Sequence, residues 1–112
     1  LYFSEAIRSE RSAAPEGIPL GPALAHYLIM FFLYILYSES KDRHYIGQSN
    51  DLDDRIQRHN NGRVRSTKFG IPWKLVYHEQ YATRSESVSR EQFLKSPDGW
   101  LELKKIKEQI EL

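Results

Sequence analysis

At 112 residues the chain is the size of one small domain, and a hydrophobic content of 40% with 12% aromatic residues is enough for a compact core. It has no cysteine, which excludes a disulfide frame or a thiolate metal site and fits a reducing, cytoplasmic setting. The formal net charge of +1 gives no global sign of a nucleic-acid partner, so any such sign must be local.

Residues 1–29 read differently from the rest. Pro15, Gly17, Pro19, Gly21 and Pro22 punctuate a mixture of Ser, Ala and charges with no sustained period, so an extended or disordered leader is expected. The sole methionine, Met30, stands directly before the first clear strand, and the opening Leu1-Tyr2-Phe3-Ser4 resembles the tail of a protease-site tag. Two readings follow: a natural start at Met30 behind a vector-derived leader, or a native but poorly ordered N-terminus. The domain proper is taken as residues 30–112.

Ala23 to Tyr37 is strongly apolar but interrupted by His26, and it is short for a membrane span, which needs roughly 20 residues. No membrane association is expected. A buried strand from about Phe31 to Tyr37 is the better reading. Phe31, Leu33, Ile35 and Tyr37 point one way and Phe32, Tyr34 and Leu36 the other; both faces are apolar, so both should be covered. Ser38 to Asp42 is a hairpin connection, and a second strand runs from about Arg43 to Gln48. A turn centred near residue 40 sets Tyr34 nearly opposite Tyr45.

A helix of about 51–60 follows. Ser49 or Asn50 can cap it, and Asp51, Asp53 and Asp54 place negative charge in its first turn, where the helix dipole favours it. Leu52, Ile56 and His59 share one face, with Arg55 on or beside it. A cation beside an apolar stripe either snorkels to water or meets an anion. Asn60-Asn61-Gly62 ends the helix through a left-handed cap. Between Arg55 and Lys68 the chain carries Arg55, Arg58, Arg63, Arg65 and Lys68 and no acidic residue, and Arg63 to Ile71 forms a basic loop. Such a run is a solvated face or a phosphate-binding one.

Pro72 to Gln80 is a third strand, with Trp73, Leu75 and Tyr77 on one face and Val76 on the other. Thr83-Arg84-Ser85-Glu86 is a capping box that opens a helix of about 84–95. On it Glu91 either pairs with Lys95, four residues on, or turns toward the sheet, where it would need a cation. Ser96 as cap and Pro97 at the first helical position begin a last helix to about Glu111, with Trp100, Leu103, Ile106 and Ile110 as its core stripe. No P-loop, dinucleotide glycine pattern or zinc-ligand spacing is present, and the four histidines have no paired helical spacing.

Taken in order, Tyr34-Ile35, Tyr45-Ile46-Gly47, Asp51-Leu52 with Arg55 and His59-Asn60, Pro72 to Tyr77, Arg90-Glu91 and Leu94-Lys95 resemble the GIY-YIG nuclease superfamily, in particular its small single-domain bacterial members. The resemblance covers about residues 30–95. The second triplet stands intact as Tyr45-Ile46-Gly47; the first is Leu33-Tyr34-Ile35, which lacks the glycine and carries over only the tyrosine.

The resemblance implies an α+β fold, a three-stranded antiparallel sheet flanked by helices in the order β-β-α-β-α-α. It also implies hydrolysis of DNA phosphodiesters with one divalent ion, Mg2+ or Mn2+, with a role in DNA repair or on branched DNA. Position by position, Glu91 would be the metal ligand and Arg55 would hold the scissile phosphate. Tyr45 would activate the water or act as base, Tyr34 would position that water, and His59 would take the proton onward. A tyrosine is a poor base at neutral pH, and a metal ion and Arg55 nearby would favour its phenolate. Gly47 would let backbone or substrate pass close to the sheet. Arg58, Arg63, Arg65 and Lys68 would track the DNA backbone. The alternatives are a nucleic-acid-binding module that keeps the fold but cleaves poorly, and an interaction domain in which the aromatic residues are only core.

Overall fold

In the computed structural model residues 30–111 are described; the leader read for residues 1–29 lies outside them. Strand β1 (Phe31–Ser38) is the centre of a three-stranded antiparallel sheet of order β2-β1-β3, with β2 at Arg43–Ser49 and β3 at Trp73–Tyr81. Helix α1 (Leu52–Asn60) and a 3-10 turn (Arg65–Gly70) connect β2 to β3. Helix α2 (Arg84–Lys95), a short 3-10 turn (Pro97–Gly99) and helix α3 (Trp100–Ile110) complete the chain. This is the α+β order expected. No helix among the described residues is long and apolar enough to cross a membrane.

The apolar character of both faces of β1 explains its central place. Phe32, Tyr34 and Leu36 pack with Leu52, Trp73 and Leu75 on the α1 side, and Leu33 and Ile35 pack with Ile46, Leu94 and Ile106 on the side of α2 and α3. All five of these β1 residues are fully or almost fully buried, and each contributes about 1.5–3 kcal/mol on burial. The sheet is therefore a partition between two cores, and the polar constellation of interest lies on the α1 side.

Several local expectations are corrected. The tyrosines are diagonal neighbours: Tyr34 pairs with Gly47 and Leu36 with Tyr45, because the hairpin spans one residue more than a turn centred on residue 40 allows. Asp51, not Ser49 or Asn50, caps α1, accepting from the Asp54 amide at 3.1 Å, while Ser49 Oγ accepts from the Asp51 amide at 3.0 Å. The stop after α1 is as expected, with Gly62 as its left-handed residue at φ 76°. Tyr77 does not share a face with Trp73 and Leu75. A β-bulge places Leu75 opposite Leu36 and Tyr77 opposite Ile35, with Val76 as the extra residue, so alternation slips by one and Tyr77 joins the α2 side.

Ser96 gives no side-chain cap; its hydroxyl donates back to the Phe93 carbonyl at 2.7 Å. Trp100 is not core. It is 61% exposed with Lys104 Nζ 5.3 Å from its ring. Helix α3 begins only at Trp100, and at about 100° per residue that position lies nearly a quarter-turn from the centre of the Leu103, Ile106 and Ile110 stripe.

Candidate active site

Tyr34 faces Gly47 across the β1–β2 ladder, and a Cβ at position 47 would lie 2.5 Å from Tyr34 Oη. The glycine thus seats a phenol of the chain itself, where the sequence suggested room for backbone or substrate. Tyr34 Oη lies 3.0 Å from His59 Nε2, and His59 Nδ1 lies 2.7 Å from Thr67 Oγ1. Thr67 Oγ1 donates to the Val64 carbonyl at 3.2 Å. A hydroxyl has one proton; with that proton committed, Oγ1 accepts from Nδ1–H. The tautomer assigned from this network carries its proton on Nδ1, so Nε2 accepts from Tyr34 O–H.

The chain Tyr34–His59–Thr67 is sealed, with exposures of 2%, 1% and 1%. Burial, with the charge of Arg55 second, pulls His59 down to about 4, so the ring is neutral near pH 7, as the tautomer requires. Burial also pushes the Tyr34 phenol above its ordinary range, with Tyr45 and Glu91 adding to the effect and Arg55 opposing it.

The 3-10 turn brings Thr67 there, and three bonds hold it. Trp73 Nε1 donates to the Thr67 carbonyl at 2.7 Å. Asn60, at the end of α1, clamps the Trp73 backbone on both sides, donating to its carbonyl at 2.9 Å and accepting from its amide at 2.6 Å. Gly70 leaves space for the Trp73 ring that a Cβ would fill.

Tyr45 stands in front of this chain. It is half-buried, packs at 4.9 Å edge-on against His59, and lies 6.3 Å from the Tyr34 ring and 6.4 Å from the Trp73 ring. Among the described residues its hydroxyl has no hydrogen-bond partner. Arg55 is half-buried too, and among the described residues its guanidinium makes neither an ion pair nor a hydrogen bond, although its charge is felt at Tyr34 and His59. Arg58 and Arg90, by contrast, are matched by carboxylates.

Glu91 on α2 has a side chain 20% exposed and receives Lys95 Nζ at 2.6 Å; that same ammonium lies 5.5 Å from the Tyr45 ring. Glu91 thus pairs with Lys95, and its charge is felt at Tyr34. Among the described residues no group of three or more His, Asp or Glu stands close enough to hold a metal ion by itself.

A family model described as the GIY-YIG catalytic domain matches residues 30–100. The chain belongs to the GIY-YIG family. Its relatives include the UPF0213 protein of Staphylococcus saprophyticus, 39% identical over 77 residues, which cover 67% of this chain and 94% of the relative. The UPF0213 protein of Staphylococcus aureus strain Mu3 is 37% identical over 78 residues, 69% of this chain and 94% of the relative. That of Staphylococcus epidermidis strain RP62A is 40% identical over 65 residues, 57% of this chain and 79% of the relative. Those names state no activity; the GIY-YIG domain is that of a nuclease family. No solved structure matches the chain.

The GIY-YIG triplets lie side by side on β1 and β2. Tyr34 and Tyr45 face α1, Ile35 and Ile46 face the opposite core, and Gly47 closes the pair. The basic residues divide. Arg58 is held by Asp54 at 2.8 Å, both half-exposed, whereas Arg63, Arg65 and Lys68 are exposed around the 3-10 turn.

Thr67 carries no signal in the sequence: it reaches His59 across a helix end and an irregular connection, over which no helical or strand period runs. A second polar group lies on the other face of the sheet. Glu79 accepts from Tyr77 at 2.5 Å and Tyr81 at 2.6 Å and from Nε and Nη2 of Arg90, which also reaches Glu102 at 2.8 Å. Burial pushes Glu79 up, but Arg90 and the two phenols outweigh it, so the carboxyl falls below its ordinary range. This group fastens α2 and α3 to β3; its trace in the sequence is the alternation Tyr77, Glu79, Tyr81.

Proposed function

We propose that the chain is a metal-dependent DNA endonuclease, acting in repair or on branched DNA, in which Tyr45, Arg55 and Glu91 meet the substrate. The observation that carries this reading is Arg55, a half-buried cation without a carboxylate among the described residues, whose charge is felt at Tyr34 and His59. A planar guanidinium suits a phosphate oxygen pair and keeps its charge at any working pH.

Glu91 offers a hard oxygen donor and already draws a cation, the Lys95 ammonium at 2.6 Å, so the donor chemistry fits a hydrated divalent ion. Glu91 would supply one ligand and leave the others to water and phosphate. Such an ion, Mg2+ or Mn2+, supplies Lewis-acid polarisation of the phosphodiester when bound.

Arg55 would hold the scissile phosphate and offset its negative charge as water attacks. Tyr45 Oη, as phenolate, would take the proton of that water as the P–O bond to the leaving oxygen breaks, and the leaving oxygen would take its proton from solvent; Tyr45 is given this role because Tyr34, the other phenol of the site, is sealed. Tyr34 and His59 are sealed, so they are assigned a positioning role: their hydrogen bond fixes the plane on which Tyr45 rests. This revises the roles that the resemblance suggested for them, placing the water and accepting its proton.

A second reading, a DNA-binding module with little cleavage, is favoured by one observation: Lys95 occupies the Glu91 carboxylate. Nicking of supercoiled plasmid with Mg2+ separates the two. The nuclease reading expects wild-type activity that falls by about 100- to 1,000-fold in Arg55→Ala and to background in Glu91→Ala, with thermal stability retained. Salt-sensitive DNA binding with no nicking by the wild type would favour the second reading; neither binding nor nicking would refute both.

A further inference from the structure

The turn Arg65–Gly70 presents its apolar side chain outward. Phe69 is 52% exposed and the neighbouring Ile71 36% exposed, although both are large and apolar. The Phe69 ring is set at 90° to Trp73 with centroids 5.9 Å apart. Around it Arg63, Arg65 and Lys68 are exposed, and no acidic residue occurs anywhere from Arg55 to His78. The turn is fastened to the candidate site by Thr67, which bonds His59 and Trp73.

We propose that Phe69 is a stacking platform for an unpaired base of DNA, beside the phosphate held at Arg55. This rests on the nuclease reading and names its substrate class: DNA with a base out of the helical stack, as at a bulge, flap or junction. Three arguments carry it.

The charged side chains carried by the turn itself and by the chain on either side of it are all basic, which attracts a polyanion and would repel a second copy of the same turn. In a paired duplex each base face is covered by its neighbours, so an aromatic tip among phosphate-binding cations finds a partner where a base is unstacked. Finally, the ring is pre-set against Trp73, which lowers the ordering cost of capture. Two ring contacts, Phe69 to Trp73 and Trp73 to Tyr45, link the platform to the candidate site. That reach corresponds to roughly three or four stacked nucleotides at most.

The test is a binding titration in EDTA, so that cleavage does not interfere. One duplex carries a three-nucleotide bulge containing 2-aminopurine, and the other is fully paired and of equal length. The wild type is expected to bind the bulged duplex more tightly and to quench its fluorescence. Phe69→Ala should lose about 5- to 150-fold on the bulged duplex, the range for one base–aromatic stack, and less than about twofold on the paired one. Phe69→Trp should restore both binding and quenching.

Equal binding of both duplexes by the wild type and Phe69→Ala, with quenching intact, overturns the proposal while leaving the nuclease reading standing. A wild type that neither binds nor nicks DNA overturns both. A concentration-dependent dimer lost in Phe69→Ala, with DNA binding unmoved, would assign the patch to a second copy and overturn it as well.

Discussion

Replacing Thr67 with valine keeps the side-chain shape and removes one hydroxyl, at a position 1% exposed. Two bonds go with it, the 2.7 Å contact from His59 Nδ1 and the 3.2 Å donation to the Val64 carbonyl. His59 is itself 1% exposed, so water cannot replace the lost acceptor without opening the turn. A buried donor left unsatisfied costs about 1–3 kcal/mol. The ring could instead move its proton to Nε2, but it would then present a donor to Tyr34 Oη, which now donates there, and strand the phenol's proton. Either way the loss should be about 1–3 kcal/mol, and each kcal/mol lowers Tm by about 4–8 °C in a domain of this size. Thr67→Ser retains the hydroxyl and should recover most of it. Urea denaturation measures the stability, and nitrogen-15 shifts of the His59 ring report the tautomer. A Thr67→Val protein as stable as wild type, with Nδ1 still protonated, would refute the hydrogen-bond direction assigned to the whole chain.

Two further outcomes follow from the same site. Gly47→Ala puts a methyl group within 2.5 Å of Tyr34 Oη, so the phenol must leave His59; the expected cost is about 1–3 kcal/mol, read by thermal melting. His59 titrates near pH 6.5 when unfolded and near 4 when folded, so the unfolded state binds more protons between those values. Stability should be fully present above pH 6.5 and fall as the pH drops through 4, by roughly 3 kcal/mol from this group. Chemical denaturation across that range checks the slope, which His59→Phe should largely flatten; His44, also lowered by burial, and, at the acid end, Glu79, held down by Arg90 and two phenols, contribute to the remainder.

Most of the architecture was legible because it rests on local signals. The two-sided apolar run of β1, the Thr83–Glu86 capping box and the Asn61-Gly62 stop act within a few residues, and each appears where pattern placed it. The errors arose where pattern depends on partners. Tyr77 changed face because a bulge is decided by the pairing of β1 with β3, not by the order of side chains in β3. Trp100 fell outside its stripe because it lies nearly a quarter-turn from the centre of Leu103, Ile106 and Ile110, at the exposed first residue of the helix. At the candidate site, helical spacing put His59 on the buried face of α1, but nothing in the chain foretold that Thr67 would hold its far nitrogen. Such a contact depends on the path of an irregular turn, which has no period to read.

The extra residue at Val76 also says where this sheet can change length. A one-residue loss elsewhere in β3 would invert the inside and outside of every position beyond it. Removal of Val76 would leave Leu75 opposite Leu36 and Tyr77 opposite Ile35, each still facing its present core. Position 76 is therefore the natural indel point of the strand, a frameshift in space whose deletion restores the regular alternation it interrupts.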